Sequence, residues 1–461
     1  MRLHAVRCRP LAALFAVVAV LVLTQAAWAQ PGSGLNAGVV VDADGVLRKH
    51  VVADPNGQLM RERIAAAKVE LDPEVTRLSP LRKISLTRLE RVIMEHDGVL
   101  SDEMRKIAGL LRVKYVFFYP ETKDIVIAGP AEGWVTDPSG RVVGMTTNRP
   151  TLLLEDLVVA LRAFPPGAEE TSLIGCSIDP TQEGLAAMQS FLRQTGTTFV
   201  GAPNAATAER LATGLQSSLG LQNVRVEGIA PDTHFAQVMV EADYRMKLIG
   251  IGMEQPPIHL ASFVDLANPA QVSRNALQRW FFVPDYQCVR VSDDGLAMEL
   301  VGDGVKLVGE NEAVTEAGIR RKASRGNRAS EAFVTGFTKK YSALAERSPV
   351  FAQLRNLIDL AVAAAFIQDR DYYGKAEWNM PFFGDESKFS VRKYRTPEKV
   401  DSVVAAKFKG NRLMTPIGGG VRIEAALALD DENTLQDDKG EVKSLHQSLA
   451  PDLKPGQWWW D

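Results

Sequence analysis

Three short segments constrain the fold most, because each places a turn rich in Asp and Gly between two apolar runs. They are Gly38–Val52, Gly133–Met145 and Val289–Leu300. An Asp side chain bonds to the backbone of such a turn, and Gly adopts the positive φ that tight turns require. Each segment therefore predicts a β-hairpin, and the chain must contain antiparallel sheet.

Apolar residues at helical spacing lie between the first two hairpins and after the second, and they predict an α+β domain over residues 75–170. Helices are predicted over 81–97, 101–111 and 152–164, and strands over Tyr115–Tyr119 and Asp124–Ala128. The preceding residues, 30–74, are read as a leader followed by the first hairpin.

A second α+β domain is predicted over residues 171–317. Its predicted strands are Leu173–Ile178, Val224–Ile229, Phe235–Glu241 and Ile258–Val264, and its predicted helices run from Thr181 to Leu192 and from Asn204 to Leu219.

Residues 318–328 carry five basic side chains without an apolar period, which predicts a solvated connector or a polyanion contact. A helical hairpin near residues 330–368 follows, within a C-terminal module over 329–420, and residues 421–461 form an acidic tail that ends in tryptophans. The fold class expected is α+β and multidomain, with mixed sheets covered by helices. The run Gly418–Gly420 lacks the Lys and Ser/Thr of a phosphate loop and is expected to be a turn.

The amino terminus has the pattern of a secretory signal peptide. Basic residues precede the apolar run Leu11–Leu23, and Ala27-Trp28-Ala29 has the form of a cleavage site. Cleavage after Ala29 is predicted, which would leave no transmembrane segment and place the protein outside the cytoplasm, in the periplasm or secreted. A retained anchor is the alternative.

Composition excludes some classes of function. The 53 Lys and Arg residues nearly balance 56 Asp and Glu residues, so nucleic acid is not expected as a partner. After signal removal two of the three cysteines are left, Cys176 and Cys288. In an oxidising compartment they could form a disulfide, and the alternative is two buried free thiols.

Signatures of known catalytic sites are missing from the sequence, so no catalytic residue, cofactor or metal is predicted. One remaining hypothesis is a nucleophilic pair of Cys176 or Cys288 with His234 or His259. Another is acid/base chemistry by a carboxylate pair such as Glu155-Asp156. His234 lies in the turn-like stretch APDTHF, where an exposed imidazole needs no special role.

Two clusters of aromatic residues are candidates for a binding surface, for a sugar, a peptide, a partner or a membrane interface. Packing within the protein is the alternative for both. The candidate residues are Asp369, Asp371, Tyr372, Tyr373, Trp378, Trp458, Trp459 and Trp460.

Several stretches together resemble a family of secreted proteins of unknown function from planctomycete bacteria. They are LRKISLTRLERVI, YVFFYPETKDIVIAGPAEGWVTDPSGRVVG, IGCSIDPTQEGL and SPVFAQLRNLIDLAVAAAFI, and the resemblance covers most of residues 75–420. It implies an extracytoplasmic location but no activity. The function expected is therefore a non-catalytic protein that binds an unknown protein or a cell-envelope polymer, or that has a structural role in the envelope. The alternative is an extracytoplasmic hydrolase that uses carboxylates or a Cys-His pair.

Overall fold

All three predicted hairpins are confirmed in the computed structural model, which describes residues 37–196, 205–268, 276–315, 317–322, 326–409 and 411–461. The antiparallel pairs are β1 (Ala37–Val41) with β2 (Val46–Val51), β6 (Trp134–Thr136) with β7 (Val142–Gly144), and β11 (Val289–Val291) with β12 (Ala297–Leu300). In the first turn Asp42 accepts a hydrogen bond from the backbone N–H of Val46 at 3.0 Å, and Gly45 has φ +73°. The predicted signal peptide and its cleavage site lie outside the described residues.

The remaining strands and the helices alternate irregularly along the chain. The strands are β3 (Ser79–Ser85), β4 (Tyr115–Tyr119), β5 (Asp124–Ala131), β8 (Ile174–Asp179), β9 (Leu221–Glu227), β10 (Ala276–Pro284), β13 (Val305–Val314), β14 (Arg320–Lys322), β15 (Lys399–Asp401), β16 (Val404–Lys409), β17 (Asn411–Ile423), β18 (Leu435–Gln436) and β19 (Trp459–Trp460). The helices are α1 (Gln58–Glu70), α2 (Pro73–Thr76), α3 (Leu86–Glu95), α4 (Asp102–Arg105), α5 (Leu154–Ala163), α6 (Gln182–Gly196), α7 (Ala205–Leu219), α8 (His234–Gly250), α9 (Phe263–Leu266), α10 (Arg328–Lys339), α11 (Tyr341–Ala345), α12 (Pro349–Asp369), α13 (Tyr372–Lys375) and α14 (Glu441–Ser448).

Two mixed sheets organise the described residues. The larger has the strand order β1-β2-β15-β9-β8-β17-β10-β13-β14, with β16 paired to β17, and the smaller has the order β18-β11-β12-β4-β5-β3-β19. The expected α+β fold with mixed sheets is confirmed. Each sheet joins strands from more than one of the predicted segments, and residues 35–461 cluster as one compact unit. The segment boundaries themselves stay a prediction.

Helices α8 and α12 form much of the core. Helix α8 packs against β8 and β17, and α12 packs against α5 and α8. Helix α12 is the one helix among the described residues that is long and apolar enough to cross a bilayer, but its apolar window is entirely buried within the protein. It also carries buried polar side chains such as Asn356, whose amide donates to the carbonyl of Leu111 at 2.9 Å. Burial of this kind is typical of a core helix.

The helices of the predicted hairpin near residues 330–368 are present as α10 and α12, with the short helix α11 between them. Phe337 of α10, Tyr341 of α11 and Phe351 of α12 contact one another edge to face or at a tilt. Part of the predicted basic connector is an edge strand, since β14 pairs with β13. Arg320 of β14 pairs with Asp179 at 3.0 Å. Residues 323–325 and the predicted helix start at Asn204 lie outside the described residues.

Four predictions of secondary structure are wrong. Residues 81–85, expected at the start of the helix over 81–97, belong instead to strand β3, because that strand pairs with β5, and the helix α3 begins only at Leu86. The helix expected over 101–111 is also shorter, since α4 ends at Arg105.

Phe235–Glu241 is not a strand but the first part of α8, where burial on all sides hides the helical period. Ile258–Val264 is not a strand either and is irregular up to the short helix α9. Gly418–Gly420 lies inside β17 and not in a turn. There a Cβ on Gly420 would lie 1.8 Å from the carbonyl oxygen of Cys176 on β8, so a larger residue would push the two strands apart.

The final strand, β19, is held in place by a buried arginine. Trp459 pairs with Ile84 of β3, and its ring lies 4.5 Å from the guanidinium of Arg82. Arg82 is fully buried, and it donates to both carboxylate oxygens of Asp461, at 2.8 and 2.9 Å. It also donates to the carbonyl of Ala108 at 2.6 Å. The guanidinium therefore connects β19 to the body of the protein.

We expect Arg82→Met to lower the free energy of unfolding by about 3 kcal/mol, because it leaves backbone carbonyls and a carboxylate without their donor. Arg77→Met is the matched control, since Arg77 contacts the same carboxylate at 3.4 Å but is 67% exposed, and exposed pairs contribute about 0–1 kcal/mol. Urea unfolding of the two variants measures both effects. Equal losses would contradict the role given to Arg82.

Candidate functional site

A cavity of about 370 Å³ lies between the first and second hairpins, the amino ends of α5 and α8, and the loop at residues 389–394. Helix α8 supplies its longest wall. His234, Gln237 and Glu241 all line the cavity, and their spacing of three and four residues places them on one face of the helix. Seven residues of helix span about 10 Å, so the cavity follows α8 for two turns.

An Asp-His pair lies at one end of this wall. Asp156, in the first turn of α5, accepts a hydrogen bond at 2.8 Å from Nδ1 of His234, the first residue of α8. Thr233 caps α8 by accepting from the N–H of Ala236, which fixes the position of the imidazole. Nε2 of His234 has no hydrogen-bond partner within the part of the chain that the structure describes. Because a carboxylate can only accept, Nδ1 carries the proton and Nε2 is left as the reactive nitrogen.

Charges around His234 shift its pKa. Burial lowers the pKa of the imidazole, but the carboxylate of Asp156, its hydrogen bond and the charge of Glu155 outweigh burial and the opposing charge of Arg141, so the pKa is raised above 6.5. Burial and the charge of Asp156 also raise the pKa of Glu155, against the hydrogen bond that Tyr394 donates to it at 2.7 Å. The Tyr394 ring lies 5.7 Å from the imidazole.

At the other end of the cavity, Arg141 joins three elements. Its guanidinium donates to Gln353 of α12 at 2.9 Å, to Ser139 at 3.0 Å and to Glu241 of α8. Arg245, one turn further along α8, also contacts Glu241, at 3.4 Å. These bonds hold the guanidinium and the carboxylate in fixed positions.

Cationic side chains outnumber anionic ones in the lining. Four Lys and Arg residues line the cavity, against the two glutamates at positions 155 and 241. Lys106 pairs with Asp102 and Arg141 with Glu241. Arg105 and Arg392 have no ion-pair partner among the described residues, although Arg392 lies 5.1 Å from the Tyr394 ring.

The amino end of α5 adds to this polarity. Its first residue is Leu154, and Leu153 at the N-cap provides no side-chain bond. Uncapped N–H groups and the helix dipole favour negative charge there. Thr151 also lines the cavity, and its buried hydroxyl lacks a hydrogen-bond partner in the described structure. The cavity is therefore suited to a small anion that also accepts or donates hydrogen bonds.

The candidate residues of the first aromatic cluster lie largely in the core, although Asp369 and Asp371 are exposed. Tyr372, Tyr373 and Trp378 are buried. The Tyr372 hydroxyl donates to the carbonyl of Gly295 at 2.7 Å, and its ring stacks on Phe118 with centroids 4.9 Å apart. Such contacts are typical of packing, and a binding role for these three buried rings stays a prediction.

The tryptophans near the carboxyl terminus are not equivalent. Trp458 is buried, whereas Trp459 and Trp460 are half-buried in β19. None of the eight residues named for the two aromatic clusters lines the cavity. A binding role for the two half-buried indoles stays a prediction.

Of the two alternatives left open for Cys176 and Cys288, the structure shows the second, because both are free, buried thiols. Burial raises the pKa of each, well above its usual value for Cys176 and to about 12 for Cys288. Neither lines the cavity, and His234 pairs with a carboxylate and not with a thiol. Within the described residues no group of three or more His, Cys, Asp or Glu side chains could hold a metal ion.

The sequence offers Glu155-Asp156 and His234 as separate candidates and does not join them. It gives no indication of Arg105, Arg392 or Tyr394 as site residues. One signal for the site is present, since Thr233 directly before His234 is a typical N-cap residue that predicts a helix start.

A family described as "Protein of unknown function (DUF1598)" matches residues 176–263. The match spans the chain from β8 to the first residue of α9 and includes the wall residues His234, Gln237 and Glu241, but not Asp156. It agrees with the expected resemblance to a family of unknown function and is silent on origin and secretion. No curated protein and no solved structure matches the chain.

We expect Cys176 and Cys288 to be unreactive toward a thiol reagent in the native protein, since burial keeps the thiols protonated and out of reach. In denaturant without reductant both should react. Mass spectrometry of the alkylated protein counts the labels. Reaction that requires a reductant would indicate a disulfide and contradict the structure.

The raised pKa of His234 predicts how the free energy of unfolding depends on pH. The folded protein holds the imidazole proton more tightly than the unfolded chain, so the Asp156 pair contributes fully below about pH 6.5 and is lost as pH rises through the folded pKa. Urea unfolding should therefore show His234→Gln destabilised most at low pH, with a smaller difference above neutrality. His259→Gln is the control, because His259 is exposed and has no carboxylate partner in the described structure. A difference for His234→Gln that grows with pH would contradict this reasoning.

Proposed function

We propose that this is an extracytoplasmic binding protein whose cavity takes a small carboxylate or phosphate anion. The observation that carries the proposal is the excess of cationic side chains in the cavity, where Arg105 and Arg392 lack ion-pair partners among the described residues. An exposed arginine that lines a cavity and has no ion-pair partner is available to a carboxylate or a phosphate, which its planar donors match.

The cavity has the size and the polar groups of a ligand site. A volume of about 370 Å³ falls within the range of small-molecule pockets, about 300–1,000 Å³. Gln237 and Gln353 supply neutral donors and acceptors along its length, and Arg141 is held rigidly at one end. Rigid positioning reduces the entropy lost when a ligand binds.

An extracytoplasmic location is part of this proposal and rests on the signal-like amino terminus. The broader alternative, an envelope protein that binds a polymer or a protein partner, would use a surface. The aromatic residues predicted for that surface are mostly buried. A hydrolase that uses a cysteine thiol as its nucleophile receives no support, because the two thiols are buried away from the cavity.

Isothermal titration calorimetry with 4-acetamidobenzoate and with inorganic phosphate tests the proposal and separates the two anion classes. We expect binding of at least one anion and no binding of the neutral counterpart 4-acetamidobenzamide. Arg392→Gln and Arg105→Gln should each weaken binding about tenfold or more, because a hydrogen bond to a charged group is worth about 1.5–3 kcal/mol.

The matched control is Arg91→Gln, an exposed arginine on α3 that does not line the cavity. This variant should bind as the wild type does. No binding of either anion, or equal losses in all three variants, would show that the cavity is not an anion site.

A further inference from the structure

The Asp156–His234 pair has the arrangement of a catalytic base and its orienting carboxylate. Nδ1–H of His234 donates to Asp156 at 2.8 Å, and this bond sets both the tautomer and the ring plane. Nε2 has no hydrogen-bond partner in the described residues, and the side chain keeps 16% of its surface exposed while lining the cavity. Nε2 is therefore accessible from the cavity, where it can contact a ligand or a water molecule.

The groups around the imidazole come from several elements. Glu155 and Asp156 lie on α5, Tyr394 and Arg392 on the loop that follows Phe389, and Arg141 on the second hairpin. Tyr394 donates to Glu155 at 2.7 Å, so the phenol is held beside the ring and not available to it. Arg392 lies 5.1 Å from the centroid of the same Tyr394 ring. A basic nitrogen and an arginine without an ion-pair partner among the described residues therefore share one cavity.

We propose that the cavity hydrolyses small esters that carry a carboxylate, with His234 as general base and Asp156 as its positioning residue. This inference rests on the proposed anion-binding function. The carboxylate of the substrate is held by the cationic side chains, which leaves the ester group along the α8 wall within the two turns that end at His234. The observation that carries this step is the geometry of His234, whose Nδ1 is held by Asp156, whose Nε2 has no partner among the described residues and whose side chain lines the cavity.

The proposed hydrolysis of the ester needs water as its only co-reactant. Nε2 of His234 removes a proton from a water molecule while the water oxygen forms a bond to the acyl carbon. The bond between that carbon and the alcohol oxygen then breaks, and the leaving oxygen takes the proton back from His234. The products are a carboxylic acid and an alcohol, and Asp156 keeps its hydrogen bond to Nδ1 throughout.

Binding and hydrolysis should respond to pH in opposite directions. The imidazolium form adds positive charge and favours anion binding, whereas only the neutral form can accept a proton. Since the carboxylates at 155 and 156 raise the pKa of His234, the rate should rise with pH through a pKa above 6.5 while the affinity for the anion falls. A residue that merely supports the fold would not make the rate and the affinity respond to pH in opposite directions.

The substrates for the test are 4-acetoxybenzoate and its neutral methyl ester, methyl 4-acetoxybenzoate, with release of the phenol followed by absorbance. We expect the full-length protein to cleave the carboxylate faster. His234→Asn and Asp156→Asn should each reduce the rate about 100-fold, the lower end of the usual contribution of a general base. His259→Asn, at an exposed histidine outside the cavity, should retain the wild-type rate.

Calorimetry with 4-acetamidobenzoate, which has an amide in place of the ester, separates this inference from the function on which it rests. If the wild type and His234→Asn bind this anion but the wild type cleaves the ester no faster than the variant, the proposed hydrolysis is wrong and the binding function stands. If the wild type neither binds nor cleaves, both are wrong. Cleavage that requires His234, follows the stated pH profile and prefers the carboxylate supports both.

Discussion

Pairing of buried charges along α8 is the constraint on which much of the described structure depends. Its residues from Phe235 to Gly250 are buried apart from Gln237, yet four of them carry charge. A buried charge without a partner costs several kcal/mol, so each must find one. Lys247 contacts Asp243 and the carbonyl of Ile178 on β8, which attaches the helix to the larger sheet. Arg245 contacts Glu254, which also accepts from Lys49 of β2.

The same network forms one end of the cavity. Glu241 shares its carboxylate between Arg245, inside the helix layer, and Arg141, on the second hairpin. The hairpin is therefore attached to α8 through an ion pair that water hardly reaches, and Gln353 of α12 extends the contact. Because the walls are fixed by buried electrostatics, the open volume between them is a consequence of the fold and not of loose packing.

Local signals in the sequence predict the hairpins and the amphipathic helices, whereas the long buried helix is harder to predict. Turn residues such as Asp42 and Gly45 act within a few positions, so their effect can be deduced from neighbours alone. After His234, helix α8 continues FAQVMVE, where apolar and polar residues follow no helical stripe because almost every side is buried. Its N-cap at Thr233 and the lack of Gly or Pro before Gly250 indicate a helix, and in the folded protein these signals outweigh the β-branched residues.

The candidate site is only partly predictable for a different reason. Asp156 and His234 are 78 positions apart and meet because α5 and α8 begin side by side. Nothing in either local sequence encodes that meeting. The arginines at 105 and 392 look like ordinary surface residues in the sequence, and their significance comes from a shared cavity. The type of each residue indicates which chemistry its side chain can perform. Only the packing of helices on sheets shows which side chains come together in one site.

Anion binding and proton uptake in this cavity are coupled by the distance between the groups that perform them. An anion near the imidazole stabilises the imidazolium, and by reciprocity a protonated His234 must favour the anion to the same extent. A carboxylate held far from Nε2, at the Arg141 end, would leave the imidazole neutral and able to accept a proton. One held beside Tyr394, near Arg392, would keep it charged. The two turns of α8 between Glu241 and His234, about 10 Å, weaken this coupling without abolishing it, so affinity and rate still change with pH in opposite directions. The length of that wall thus decides whether one cavity can both bind an anion and use a neutral histidine.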